Sequence, residues 1–234
     1  MTAYPPIPPA APPAVNYRTL PLTENGEPLL SLTGLSPRVE VHPFYREMGI
    51  PGALPDCWLR EGAAARLLAA AAALPAGFRF VVLDGFRPYE VQLELYRRFR
   101  EEIAASNRFA TEEEVEKETA RFVAYPTPDV ETPPPHMTGG AVDLTVADEA
   151  GWLDMGTPFD DLTDRAASDS FELLPQPTMQ EQRIRHNRRM LYHAMTSAGF
   201  APYGNEWWHF DYGNQRWAMM TGGNAFYKGK RAFP

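Results

Sequence analysis

His136-Met-Thr-Gly-Gly-Ala-Val-Asp-Leu-Thr-Val146 is the stretch on which the fold turns. From Ala141 onward the side chains alternate. Val142, Leu144 and Val146 fall on one face of a strand, Asp143 and Thr145 on the other. Asp143 is therefore an acid inside an otherwise apolar strand, and a buried carboxylate needs a cation or several donors to be tolerated. Gly139 and Gly140 permit a tight turn that folds the preceding loop back over the strand, carrying His136 towards Asp143. Taken singly, Asp143 also suits a strand edge or a structural hydrogen-bond network. His136, after Pro133-Pro134-Pro135, also suits an exposed loop.

A second segment, Glu206-Trp-Trp-His209, changes that balance. The aromatic composition from Trp207 to Tyr212 predicts a strand with His209 and Asp211 on one face. Residues three apart on a strand point to opposite faces, so Glu206 shares a site with His209 only from a turn or bulge at the strand's mouth. Gly204-Asn205 supplies residues for such a turn. Alone, this segment also reads as an aromatic core strand with an incidental acid. Together the two segments offer two imidazoles, a ligating carboxylate and a spare carboxylate. That is the inventory of a catalytic zinc site, with three protein ligands, an open position for water and a general base beside it.

The remaining pattern is mixed. Ala63 to Leu74 is an alanine-rich helical run beginning near Glu61 and ended by Pro75-Ala-Gly77. Phe78 to Leu83 reads as a short buried strand, and Asp84-Gly-Phe-Arg87 as the turn after it. Pro88 suits the first position of the next helix, whose inner face carries Val91, Leu95 and Phe99. Thr111 and Glu114 predict a capping box. Five prolines keep Tyr125 to Pro135 non-helical. Gln180 to Ala198 reads as a helix closed by Gly199, with Ile184, Leu191 and Met195 along its apolar stripe. The expectation is one α+β domain, a small antiparallel sheet flanked by helices, over residues 17–234. A proline-rich arm over residues 1–16, extended or disordered, precedes it.

Composition narrows the function. With 44% hydrophobic and 22% charged residues among 234, the chain can bury a sizeable core. A net charge of −8 without a Lys/Arg cluster speaks against nucleic acid or an anionic membrane as partner. No apolar run is long enough to span a bilayer, and the N-terminus lacks the basic start and apolar stretch of a signal peptide. The cytoplasm is the expected compartment. Cys57, the single cysteine, reads as a small buried hydrophobe. His186 and His193 share a helical face with no acid between them, and His42 has no evident partner in sequence. Nothing in the sequence speaks to oligomeric state. Arg87, at a strand end before a proline-started helix, is placed where loops carry functional groups, although an isolated arginine also suits a surface ion pair.

Four segments, Asp84-Gly-Phe-Arg-Pro88, His136 to Asp143, Asp154-Met-Gly-Thr-Pro-Phe-Asp160 and Glu206-Trp-Trp-His209, occur in the order seen in zinc D-alanyl-D-alanine dipeptidases. The chain resembles that family, the VanX type of vancomycin resistance and its relatives, from about Val39 to Phe226. The resemblance implies the α+β zinc-peptidase fold shared with the Hedgehog signalling domain, and one zinc ion per chain held by His136, Asp143 and His209. It further implies Glu206 as general base and acid, Arg87 as the group polarising the scissile carbonyl, Asp160 near the substrate's ammonium, and a small dipeptide as substrate. Pro134 and Pro135 depart from the pattern, standing where the resistance enzymes carry two substrate-holding serines. Met137-Thr-Gly-Gly140 likewise replaces their Ser-Arg-Gly-Ser. Two rivals remain: a zinc D,D-carboxypeptidase acting on peptidoglycan precursors, and a non-catalytic zinc domain that binds a partner. The absence of an export signal argues against the first, and the presence of Glu206 and Arg87 against the second.

Overall fold

The computed structural model describes residues 4–10, 15–106, 108, 111–161 and 163–231. Along the chain the elements run β1 (Leu29–Ser31), β2 (Val39–Val41), α1 (Phe44–Glu47), β3 (Trp58–Arg60), α2 (Glu61–Ala73), β4 (Arg79–Asp84) and α3 (Tyr89–Ala105). There follow α4 (Glu112–Phe122), β5 (Ala141–Asp148), β6 (Gly151–Trp152), α5 (Met179–Ser197), β7 (Ala201–Pro202), β8 (His209–Asp211) and α6 (Gln215–Thr221).

β5 is the middle of the main sheet, ordered β2-β4-β5-β8-β7 with β6 also paired to β5. Its alternation is realised as predicted, and every residue from Ala141 to Ala147 is buried. Val142, Leu144 and Val146 belong to the main hydrophobic core, with Leu67 of α2 and Leu191 and Met195 of α5. Each such fully buried aliphatic side chain contributes about 1.5–3 kcal/mol over leaving it in water. α2 and α5 pack on one another, and α5 on β5.

The architecture is α+β as expected, with one departure from a purely antiparallel sheet. The short edge strand β2 pairs parallel to β4, whereas β4, β6 and β8 are antiparallel to β5. The chain between β2 and β4 passes through α2, the crossover that a parallel return requires. β1 and β3 form a separate two-stranded sheet.

Helix starts follow local chemistry. Thr111 and Glu114 cap α4 reciprocally, and Thr178 and Glu181 do the same for α5. Pro88 stands at the N-cap of α3, one residue before its predicted place. Gly199 ends α5 at φ 92°, a left-handed conformation that glycine adopts without strain.

Residues Tyr4 to Ala10 pack against α5 and the segment before it. The Pro5 carbonyl accepts from His193 Nε2 at 2.9 Å, the Tyr4 carbonyl from Arg189 at 3.2 Å, and Ile7 N–H donates to Glu172 at 3.2 Å. Ile7 is only 4% exposed. Residues 1–3 and 11–14 of the predicted arm lie outside the described residues. Among the described residues, no helix is long and apolar enough to cross a membrane.

Candidate active site

Register across three strands builds the site. Asp84 on β4 lies opposite Asp143 on β5, and Asp143 lies opposite His209 on β8. Directly opposed residues share a face of the sheet, so the three side chains form one row. A register shift between Val82 and Asp84 brings Asp84 into that row.

His136 reaches the row from a 3-10 turn, Pro135–Thr138, which Gly139 ends in the left-handed conformation at φ 71°. Thr138 Oγ1 closes the turn, donating to the Pro135 carbonyl at 2.5 Å and accepting from Gly140 N–H at 2.9 Å. His136 is buried rather than an exposed loop residue. Glu206 lies in the turn before β8, its N–H bonded to the Tyr203 carbonyl at 3.2 Å. That turn gives Glu206 and His209 a common face, and the predicted strand shortens to His209–Asp211.

The ligand-type atoms converge. His209 Nδ1 is 3.0 Å from Asp143 Oδ1 and 3.1 Å from His136 Nε2, and His136 Nε2 is 3.3 Å from Asp143 Oδ2. All lie within 4.8 Å of one another and all three residues are buried. Each imidazole is oriented through its other nitrogen. His136 Nδ1 donates to the Gly85 carbonyl at 2.8 Å, which leaves Nε2 facing the cluster. His209 Nε2 lies 3.1 Å from Asp211 and 3.4 Å from Arg216. The shorter contact identifies Nε2 as the donor to Asp211, with Nδ1 facing the cluster. Outer partners of this kind fix tautomer and ring plane in metal-binding histidines.

Arg87 and Asp160 line the same cavity, together with Tyr45, Gln92, Glu206, Trp208 and Arg216. The cavity is small, about 30 Å³. Arg87 Nε donates to Asp84 at 2.8 Å and Nη1 to Gln92 Oε1 at 2.9 Å. Its Nη2 has only long contacts, 3.4 Å to Asp143 and 3.5 Å to the Tyr45 hydroxyl. Asp160 accepts from the Tyr45 hydroxyl at 3.1 Å and holds a left-handed backbone at φ 60°, the one non-glycine residue to do so among the described residues. Such strain is common where function dictates side-chain position.

The electrostatics are those of an anionic pocket. Asp84, Asp143, Asp160, Glu206 and Asp211 face two guanidiniums, Arg87 and Arg216. Burial raises Glu206 to about 8, with Asp143 adding to the effect and His209 and Arg216 opposing it. Burial, then Asp143, raises Asp160 to about 7. Burial alone would depress His209, but Asp211 and Asp143 outweigh it and raise the imidazole to about 10. Burial opposes ionisation of Asp143, yet His136 and His209 hold it well below the ordinary carboxylate range.

All six predicted site residues, Arg87, His136, Asp143, Asp160, Glu206 and His209, thus surround one cavity. Tyr45, Gln92, Asp211 and Arg216 join them without having been singled out by sequence, although Asp211 shares the predicted strand face of His209. The other histidines lie elsewhere. His186 and His193 flank the Tyr4 ring at 5.5 and 6.1 Å between centroids, and His42 pairs with Glu47 at 3.1 Å. Cys57 is buried, its thiol pushed up by burial, consistent with a packing role.

Sequence comparison with known proteins identifies a family. The family described as D-ala-D-ala dipeptidase matches residues 55–223. The D-alanyl-D-alanine dipeptidase of Synechocystis sp. is 32% identical over 224 residues, covering 87% of this chain and 89% of its own length. That of Escherichia coli is 30% identical over 141 residues, covering 58% of this chain and 56% of its own. Among solved structures, VanYB in complex with D-alanine-D-alanine aligns at 19% identity and a TM-score of 0.42, covering 72% of this chain and 81% of that one. The chain belongs to the D-Ala-D-Ala dipeptidase family.

Proposed function

We propose that this protein is a zinc-dependent dipeptidase that hydrolyses D-Ala-D-Ala or similarly small dipeptides, with one zinc ion per chain. The observation that carries the reading is the convergence of His136, Asp143 and His209 within 4.8 Å, in a cavity shared with Glu206 and Arg87. Two neutral imidazole nitrogens and one carboxylate form a donor set that suits zinc and leaves a fourth position open. A zinc ion there would supply Lewis acidity, lowering the pKa of water and polarising a carbonyl.

The chain's own groups divide the remaining work. Glu206 takes the proton from the attacking water and returns it to the leaving amine; a carboxyl tuned upward by burial suits both halves of that transfer. Arg87, held through Nε and Nη1, keeps Nη2 for the developing oxyanion. Asp160, oriented by Tyr45, pairs with the substrate's ammonium and so demands a free N-terminus. The division into an arm over 1–16 and a catalytic unit over 17–234, and a cytoplasmic site of action, belong to the same proposal.

The test is hydrolysis of D-Ala-D-Ala beside a pentapeptide ending in D-Ala-D-Ala, L-Ala-L-Ala and L-Ala-D-Ala, by zinc-loaded protein. Cleavage of D-Ala-D-Ala with the pentapeptide intact is expected. Cleavage of the pentapeptide would assign a carboxypeptidase instead. Stoichiometric zinc with no cleavage of any of them would contradict the D-Ala-D-Ala assignment.

A further inference from the structure

The cavity holds a second guanidinium, Arg216, that none of these steps uses. Its side chain is 12% exposed. Nη1 lies 3.4 Å from His209 Nε2 and 3.8 Å from Asp211 Oδ2. Asp211 is already engaged at shorter range, by His209 at 3.1 Å and by Asn214 Nδ2 at 2.6 Å. Among the described residues, Nε and Nη2 of Arg216 make no hydrogen bond. The group lies over two rings instead, Tyr203 at 4.2 Å and Tyr17 at 5.3 Å from the guanidinium carbon to the ring centroids. Packing against two rings restrains the guanidinium while Nε and Nη2 stay unbonded, and these are donors with which arginine grips a carboxylate.

Charge matching points the same way. A dipeptide with free ends is a zwitterion, and under the proposed reading its ammonium meets Asp160 and its scissile carbonyl meets Arg87. Its carboxylate then needs a cation. Of the basic groups lining the cavity, His136 and His209 face the metal cluster and Arg87 is committed to Asp84 and Gln92. Pro134 and Pro135, on the loop leading to His136, offer no side-chain donor. Arg216 remains.

We propose that Arg216 binds the C-terminal carboxylate of the substrate, so that the site selects dipeptides with two free ends. The inference rests on the dipeptidase reading. The test compares D-Ala-D-Ala with D-Ala-D-alaninamide, which lacks the carboxylate, using zinc-loaded wild-type, Arg216→Gln and Arg216→Lys proteins. A charge-assisted contact of this kind predicts that wild-type kcat/KM favours the free acid about 10- to 100-fold. Arg216→Gln should lose most of that preference, chiefly through KM for the acid, at unchanged zinc content, and Arg216→Lys should recover part of it. Equal use of both substrates by the wild type would overturn the inference while leaving the dipeptidase reading intact. So would a parallel fall on both substrates with loss of zinc, which would mean that Arg216 acts through Asp211 and His209. If Arg216→Gln does not fold, the wild-type ratio and Arg216→Lys decide. A wild type inert towards D-Ala-D-Ala itself would sink the parent reading and the anchor with it.

Discussion

Gln92 holds Arg87 in place, and replacing it with leucine should show how much. Gln92 is 1% exposed on α3; its Oε1 accepts from Arg87 Nη1 at 2.9 Å and its Nε2 donates to the Ala124 carbonyl at 2.7 Å. Leucine nearly fills the same volume, so packing changes little, but two polar groups lose their partner at once. A buried group left unsatisfied costs about 1–3 kcal/mol, more when it is charged. The added apolar burial offsets about 1 kcal/mol. The net expectation for Gln92→Leu is a loss of about 1–5 kcal/mol, a sizeable share of the ~5–15 kcal/mol that holds an ordinary domain together. Urea unfolding followed by tryptophan fluorescence measures it. Turnover should fall as well, because Arg87 keeps Nη2 in the cavity only while Nε and Nη1 are both held. The drop should lie between tenfold and the ~10²–10³ that follows outright loss of an oxyanion donor. An unfolding free energy within about 1 kcal/mol of wild type would refute the reasoning, since it would mean that Gln92 satisfies neither group.

Glu206→Ala should bind zinc as the wild type does yet lose about 10²–10⁴ in kcat; near-normal hydrolysis would remove Glu206 from the proton transfer. In Gly140→Ala the new Cβ would run into the Tyr212 carbonyl oxygen, prying β5 from β8 where Asp143 meets His209. A loss of about 1–3 kcal/mol and weaker zinc binding are expected, and a thermal midpoint equal to wild type would contradict that geometry. In metal-free protein the fold keeps protons on Glu206 at about 8, Asp160 at about 7 and His209 at about 10, against ordinary values of 4.5, 3.8 and 6.5. All three are raised, so their stabilisation is complete at low pH and is lost as pH rises through the folded values. Asp143, held low, changes protonation only at more acidic pH. The melting temperature of chelator-treated protein should therefore fall from pH 5 to pH 8, and zinc should flatten the slope; a rise over that window would contradict the assignment.

The site was legible wherever chemistry and local periodicity coincide. The alternation around Asp143, the glycine turn after His136 and the faces of Glu206 and His209 follow from the geometry of strands and turns, and the structure realises each. The capping box at Thr178 and Glu181 was as readable as the one at Thr111, and would have set the start of α5 at Met179, one residue before Gln180. The parallel pairing of β2 was not readable, because three residues carry too short a pattern to distinguish an edge strand from a loop. Arg216 was hidden for a different reason. It follows the strand that bears His209, and only the fold of α6 against Tyr17 and Tyr203 turns it towards the cavity. The docking of Tyr4 to Ala10 beside α5 depends on contacts with Glu172, Arg189 and His193, which no local pattern encodes.

The most direct test of the account is a zinc titration of chelator-treated protein, with D-Ala-D-Ala hydrolysis followed against bound metal. Activity should rise from zero and saturate at one zinc per chain, and His209→Ala should neither bind the ion tightly nor gain activity. Full hydrolysis without zinc, or saturation with zinc and no hydrolysis, would contradict the claim that His136, Asp143 and His209 form the centre of a zinc dipeptidase.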